Sequence, residues 1–495
     1  MRAGILTVAM AAAAAGVSSS SSPASAPAPA TATSISHAAA GDQHISTLDD
    51  QAELSVTVYN SDLALVRDVR NLRLPAGEFD LQFMDIAATV NPATVHVRSL
   101  TEPAALGVVE QNYEYDLLEP EKLLRKYVGR EVTLVRTRQE GGTTRSEEVR
   151  ALLLSYNNGP VWQIGKEIVT GLHADHIRFP ELPGNLYSRP TLIWSLHNRG
   201  AVRHRVEASY LASKLSWNAD YVLTVSRDDK ASDLDGWVTL NNGSGTAFKN
   251  TKLQLVAGDL NRVRQEMAMR TDAVGRRSQA GAAPAMAQEA FGDYHLYTLG
   301  RRTSINHNET KQVSMLAGTG VPTLKRYVVN GQTFYYRNVQ QPGAPVKDVV
   351  QVFYQFRNEE KAGLGMPMPA GVVRVYQADS QGGVQFVGED RVAHTPKDET
   401  INLKIGNAFD VVCERRQTDF RKIAPNVYEL EYQITLRNHK SSAVSVEVNE
   451  PIGGTWEMLR SSHKWTKTDA WASQFVVPVA VDAAATLEYR VRVTY

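Results

Sequence analysis

Val350-Gln-Val-Phe-Tyr-Gln-Phe-Arg357 decides the fold class. Val350, Val352, Tyr354 and Phe356 alternate with Gln351, Gln355 and Arg357, the two-residue period of a strand with one buried face. Working outward, the turn-rich run Gly363-Leu-Gly-Met-Pro-Met-Pro-Ala-Gly371 leads into a second strand over Val372 to Tyr376. Further strands are expected at Gln385 to Val392 and Ile401 to Ile405, hinged at Thr395-Pro-Lys-Asp398, where Pro presets φ and Asp can bond its own backbone. From Val349 to Arg416 the chain therefore reads as a β-meander. Its architecture is legible here; its chemistry is not.

The chain of 495 residues exceeds what one core usually serves, so two to four domains are expected. Lys plus Arg and Asp plus Glu each number 53, which removes the basic surplus that nucleic acid or an anionic membrane surface would call for. The single cysteine, Cys413, lies in the strand-like run Phe409-Asp-Val-Val-Cys413 and reads as a small buried residue. Residues 1–30 resemble a cleaved signal peptide: Arg2, an uncharged run from Ala3 to Val17, then small-residue sites such as Ala28-Pro-Ala30. The apolar run falls short of the roughly twenty residues a membrane-crossing helix needs, so no transmembrane segment is expected, and the location is periplasmic or secreted.

Residues 31–51 read as a disordered lead, and 52–118 as a small N-terminal β unit. In 119–185 one short helix precedes five short strands that suggest a small barrel. Pro120 suits its first turn, Leu123, Leu124 and Tyr127 share a face, and Gly129 sits where a left-handed cap belongs. The region 186–409 is a central sandwich, interrupted by a disordered loop at 262–289, and 410–495 is an immunoglobulin-like sandwich. Four times a strand ends in Asn and a polar turn returns another strand, at Asn198, Asn242, Asn358 and Asn438. Asn tolerates φ > 0 and supplies a side-chain turn bond. The irregular spacing favours antiparallel Greek-key sandwiches over a solenoid. The expected fold class is thus mainly β, with several antiparallel sandwich or immunoglobulin-like units.

The runs Leu215-Ser-Trp-Asn-Ala-Asp-Tyr221, Asp235-Gly-Trp-Val-Thr-Leu-Asn241, Gly363 to Tyr376 and Asn449-Glu-Pro-Ile-Gly-Gly-Thr-Trp456 resemble the bacterial domain-of-unknown-function family four-one-three-nine, whose relatives include mucoidy-inhibitor-like proteins. The resemblance spans nearly the whole chain after the leader. It implies an exported or cell-envelope protein, mostly β, and brings no catalytic residue or ligand with it.

No nucleophile elbow, Walker loop, dinucleotide fingerprint or Cys-x-x-Cys occurs, so no cofactor is expected. His173-Ala-Asp-His176 lacks the third ligand and general base of a hydrolytic zinc site and reads as a polar turn. Glu389, Asp390, Asp398 and Glu399 flank His394. They raise the alternative of an envelope hydrolase acting on polysaccharide or peptide, against the plainer reading of a solvated hairpin with Arg391 and Lys397. The strongest candidate is aromatic. Trp456, Trp465 and Trp471, with Lys464, Arg460 and Lys467 as a polar rim, could stack on sugar rings or grip a peptide. Trp465 and Trp471, six apart, share a face if the chain is extended there. The plainer reading places these indoles at the end of a sandwich core, and Trp194, Trp217 and Trp237 within it. The expected function is a binding or structural module for a protein or glycan partner of the envelope.

Overall fold

The computed structural model describes residues 44–114, 118–140, 143–183, 186–187, 189–258, 286–337, 339 and 344–495. The signal-peptide reading and most of the 262–289 loop lie outside the described residues. Alternating apolar and polar residues build six sheets around three apolar cores, with a single α-helix, Pro120–Lys126, among the described residues. The chain is mainly β, with several antiparallel and mixed sheets compatible with sandwich units.

The first core draws mainly on three sheets. A four-stranded sheet runs in the order His44–Ser46, Gly77–Met84, Thr191–Asn198, Leu106–Glu114. A larger sheet centres on Gln51–Tyr59, Leu63–Arg73 and Arg203–Ser213, and a third centres on Leu215–Val225, between Ala231–Asn242 and Gly371–Ala378. Strands from before residue 118 and after residue 186 thus pair directly, as Leu63–Arg73 does with Arg203–Ser213 along its whole length. The lead is ordered at its end: His44–Ser46 pairs in parallel with Leu81 to Phe83, and Thr47 caps the turn Leu48–Asp50 through a reciprocal bond with Asp50. The end of the 262–289 region is ordered as well, since Ala287–Phe291 forms a hairpin with Tyr294–Thr298.

The segment from 118 to 183 forms its own unit. It is no barrel: its five strands make an open sheet whose edge strands, Glu167–Thr170 and His176–Arg178, do not meet. Strands of three or four residues at both edges are too short to close a ring of hydrogen bonds. The seven-residue helix, marginal alone, lays Leu123, Leu124 and Tyr127 against this sheet's core of Leu134, Leu153 and Trp162, and Gly129 adopts the left-handed φ of +83°. The unit is inserted between two strands that are antiparallel neighbours, for Glu114 lies opposite Thr191.

The expected meander is divided between two sheets. Gln351–Arg357 pairs with Thr400–Asn407 in the C-terminal sandwich, while the intervening Gly371–Ala378 and Val384–Val392 hairpin joins the third sheet, beside Leu215–Val225. Local alternation sets which residues face inward and is silent on which strand lies alongside. The C-terminal sandwich packs a six-stranded sheet, from Thr400–Asn407 at one edge to Trp465–Asp469 at the other, on a five-stranded sheet ending in Thr455–Ser461. One face of Gln351–Arg357 serves both cores. Tyr354 and Phe356 belong to the first, whereas Val350 and the partly buried Val352 pack on the C-terminal one.

Candidate binding edge of the C-terminal sandwich

Thr455–Ser461 and Trp465–Asp469 are each the last strand of their sheet, so the link Ser462 to Lys464 crosses between the two sheets at their open edge. The crossing is pinned by backbone and hydroxyl bonds: Ser462 N–H donates to Glu488 O at 2.8 Å, and Glu488 N–H to Ser462 Oγ at 2.8 Å. Lys464 and His463 then border an open surface depression that runs from Met458 to Trp465.

The three tryptophans take different roles. Trp456 is 9% exposed, belongs to the C-terminal core, and donates Nε1–H to Ala470 O at 3.0 Å. Trp465 lies against it, ring centroids 5.4 Å apart at 56°, and is 39% exposed. Lys467 Nζ stands 4.9 Å from the centre of the Trp456 ring, a cation–π contact that closes that ring's outer side. Trp471 is 63% exposed at the tip of the following hairpin, where its N–H donates to Asp469 Oδ1 at 2.7 Å. Trp465 and Trp471 do not share an extended face, because the chain reverses at Ala470-Trp471 between them. Arg460 is bound to Glu431 rather than free on the rim. All five residues of Trp465–Asp469 are exposed, so this edge offers two indoles and a row of backbone groups to solvent.

Trp194 and Trp217 are core residues as expected. Trp237 is only half-buried, because the buried set on its strand is Ser232, Leu234, Gly236, Val238, Leu240 and Asn242, which puts position 237 on the other face.

The other sequence candidates take structural positions. Asp175 Oδ2 accepts the Thr137 N–H at 2.5 Å, and hydrogen bonding from the Thr137 side chain, then from its backbone, holds the carboxyl below the usual range. Glu389 pairs with Arg374 at 3.5 Å, Asp390 Oδ2 accepts Lys404 N–H at 2.7 Å, and His394 Nδ1 accepts Ala370 N–H at 3.2 Å. Asp398 takes φ +66° and donates its N–H to Asn358 O, and Lys397 pairs with Glu360. Glu389 and Asp390 lie on a strand of the third sheet, whereas Asp398 and Glu399 precede Thr400–Asn407 of the C-terminal sandwich, so the four carboxylates do not share the expected hairpin. Among the described residues no three His, Cys, Asp or Glu side chains gather to hold a metal ion.

Two polar clusters escaped the sequence reading. Ser99 Oγ lies 2.9 Å from His204 Nδ1, whose Nε2 is 3.2 Å from Asn198 Oδ1, in the order of a nucleophilic triad. Ser99 is fully buried, and its oxygen already accepts the N–H groups of Thr101 and Glu102, so the cluster staples a turn. In the C-terminal core the buried Arg415 binds Asp348 at 2.7 Å and Glu450 at 2.6 Å, and Tyr336 Oη binds Glu450 and lies 2.8 Å from Tyr489 Oη. Burial, with Asp348 next, pushes Cys413 up to about 12, and the same two causes push Tyr335 up to about 12. Arg415 and Gln417 continue the inward period of Val411 and Cys413, and that was the readable signal.

No family model matches this chain, and no curated protein does. Among the described residues no helix is long and apolar enough to cross a membrane.

Proposed function

We propose that this chain is an exported β-sandwich protein of the bacterial envelope that binds a protein or glycan partner through the open edge of its C-terminal sandwich. The observation that carries this reading is the pair of exposed indoles, Trp465 and Trp471, on an edge hairpin with every residue of its first strand in solvent. Large apolar rings left in water beside Lys464 and Lys467 have the composition of interface anchors. The leader-like residues 1–30 and the resemblance to family four-one-three-nine support the location.

The test is binding of the purified chain from residue 31 onward to arrays of envelope glycans and peptides, beside a Trp465→Ala, Trp471→Ala variant. A specific signal should fall at least about tenfold in the variant, the loss of about 1.4 kcal/mol, with circular dichroism unchanged. Equal signals from both proteins would remove the edge from consideration.

A further inference from the structure

A second candidate site lies where the two large cores meet, and it is independent of the tryptophan edge. A cavity of about 220 Å³ opens there, room for roughly seven waters at about 30 Å³ each and hence for one small molecule. Its floor is the face of Leu324–Asn330 and Gln351–Arg357 on which Lys325 opposes Tyr354 and Tyr327 opposes Val352. On the far side of Val352 the register shifts, leaving Ile405 as the extra residue of a bulge that turns into the cavity wall. Phe409, 95% exposed, stands at its border.

The polar groups of this wall divide into two sets. Lys325, Tyr354 and Gln377 are all spent on Asp229, at 3.1, 2.6 and 2.7 Å. The others have no such tie. Tyr327 is 8% exposed, yet among the described residues its hydroxyl has no hydrogen-bond partner. Neither Asp410 nor Lys440, both lining the cavity, forms a side-chain ion pair among the described residues. Burial, and then the charges of Asp229 and Asp410, push the Tyr327 phenol up, so at neutral pH it is a donor. A hydroxyl that opens onto the cavity without a protein partner is free to donate to a ligand acceptor.

We propose that this cavity binds a free α-amino acid with an apolar or aromatic side chain. Lys440 and the Tyr327 hydroxyl receive the carboxylate, Asp410 receives the ammonium, and Val352, Val387 and Ile405 meet the side chain, with Phe409 covering it. A zwitterion matches both unpaired charges at once. A simple acid or a simple amine leaves one of them unmatched, and the small volume excludes a longer peptide.

The experiment is calorimetric titration of the full chain with L-phenylalanine, 3-phenylpropionate and phenethylamine, with fold checked by circular dichroism. L-phenylalanine should bind saturably and at least about tenfold tighter than either analogue. Asp410→Asn should weaken L-phenylalanine several-fold and leave phenylpropionate unchanged. Lys440→Gln should do the converse, weakening L-phenylalanine and sparing phenethylamine, and Tyr327→Phe should weaken both carboxylates while keeping the ring. No saturable heat with L-phenylalanine or L-leucine up to about 10 mM overturns the proposal. So does equal affinity for the three probes, or an L-phenylalanine affinity untouched by Asp410→Asn and Lys440→Gln.

Discussion

Asn198, Asn242 and Asn438 each end a strand, Asn358 directly follows one, and each is buried to 2% exposure or less. None takes a positive φ. Their value lies in the carboxamide: Asn438 Oδ1 accepts the N–H of Lys440 at 3.0 Å while Nδ2 donates to Ser442 O and Ala480 O, both at 2.9 Å. Asn242 and Asn358 repeat the device, each accepting one backbone N–H and donating to two carbonyls. One side chain thus closes its own turn and fastens a distant segment to it. Asn438→Ala removes three hydrogen bonds made by a fully buried carboxamide, each worth about 0.5–1.5 kcal/mol. We expect a loss of about 3 kcal/mol in urea unfolding, with Asn438→Asp also destabilised because a carboxylate cannot donate. Asn218→Ala, at an exposed position, should stay within about 0.5 kcal/mol.

At the scale of elements, the inserted unit is the most independent part of the molecule. Its own core is separate, and its ends are tied by Leu118 N–H donating to Tyr187 O at 2.9 Å. Because Glu114 and Thr191 already face one another, replacing residues 118–187 with Asn-Gly should join the two strands as a tight hairpin. The shortened chain is expected to keep its strand-type circular dichroism and unfold cooperatively. A molten or insoluble product would show that the insertion supports the sheet below it. The strands themselves were legible because alternation is local: Tyr428 to Leu436 and Leu487 to Val493 read correctly from their own residues, while Tyr495 falls past the strand end and is exposed. Their partners were not legible, as Gly371–Ala378 shows by leaving its sequence neighbours for Leu215–Val225. At the candidate edge the tryptophans could be named from sequence. Which would be covered depended on the turn at Ala470-Trp471 and on Lys467 folding over Trp456.

Across the whole molecule, stability should fall on the alkaline side, and the C-terminal core contributes to that fall. Cys413 keeps its proton to about 12 against an ordinary 9.0, Tyr335 to about 12 against 10.0, and Tyr336 and Tyr489 are pushed well above 10.0, chiefly by burial. A folded pKa raised above the unfolded one means that only the unfolded chain sheds the proton. The contribution is therefore full below pH 9 and is lost as pH climbs from 9 toward 12. The urea midpoint, followed by fluorescence, should be nearly flat from neutrality to pH 9 and fall steadily beyond it. Cys413→Ala should blunt the earliest part of that fall. A midpoint that rose between pH 9 and 11 would contradict the sign.

The strand Gln51–Tyr59 takes as its parallel neighbour Phe248–Ala257, and Thr251 Oγ1 reaches back to Leu54 O across 197 residues. A ribosome adding about 5–20 residues per second needs roughly 10–40 s to supply the second strand after the first. Throughout that interval one flank of an apolar ribbon stands without its mate, open to pairing with the wrong chain. Synthesis of this protein should accordingly depend on a chaperone that shields early segments, and translation slowed upstream of residue 257 should raise the fraction that aggregates.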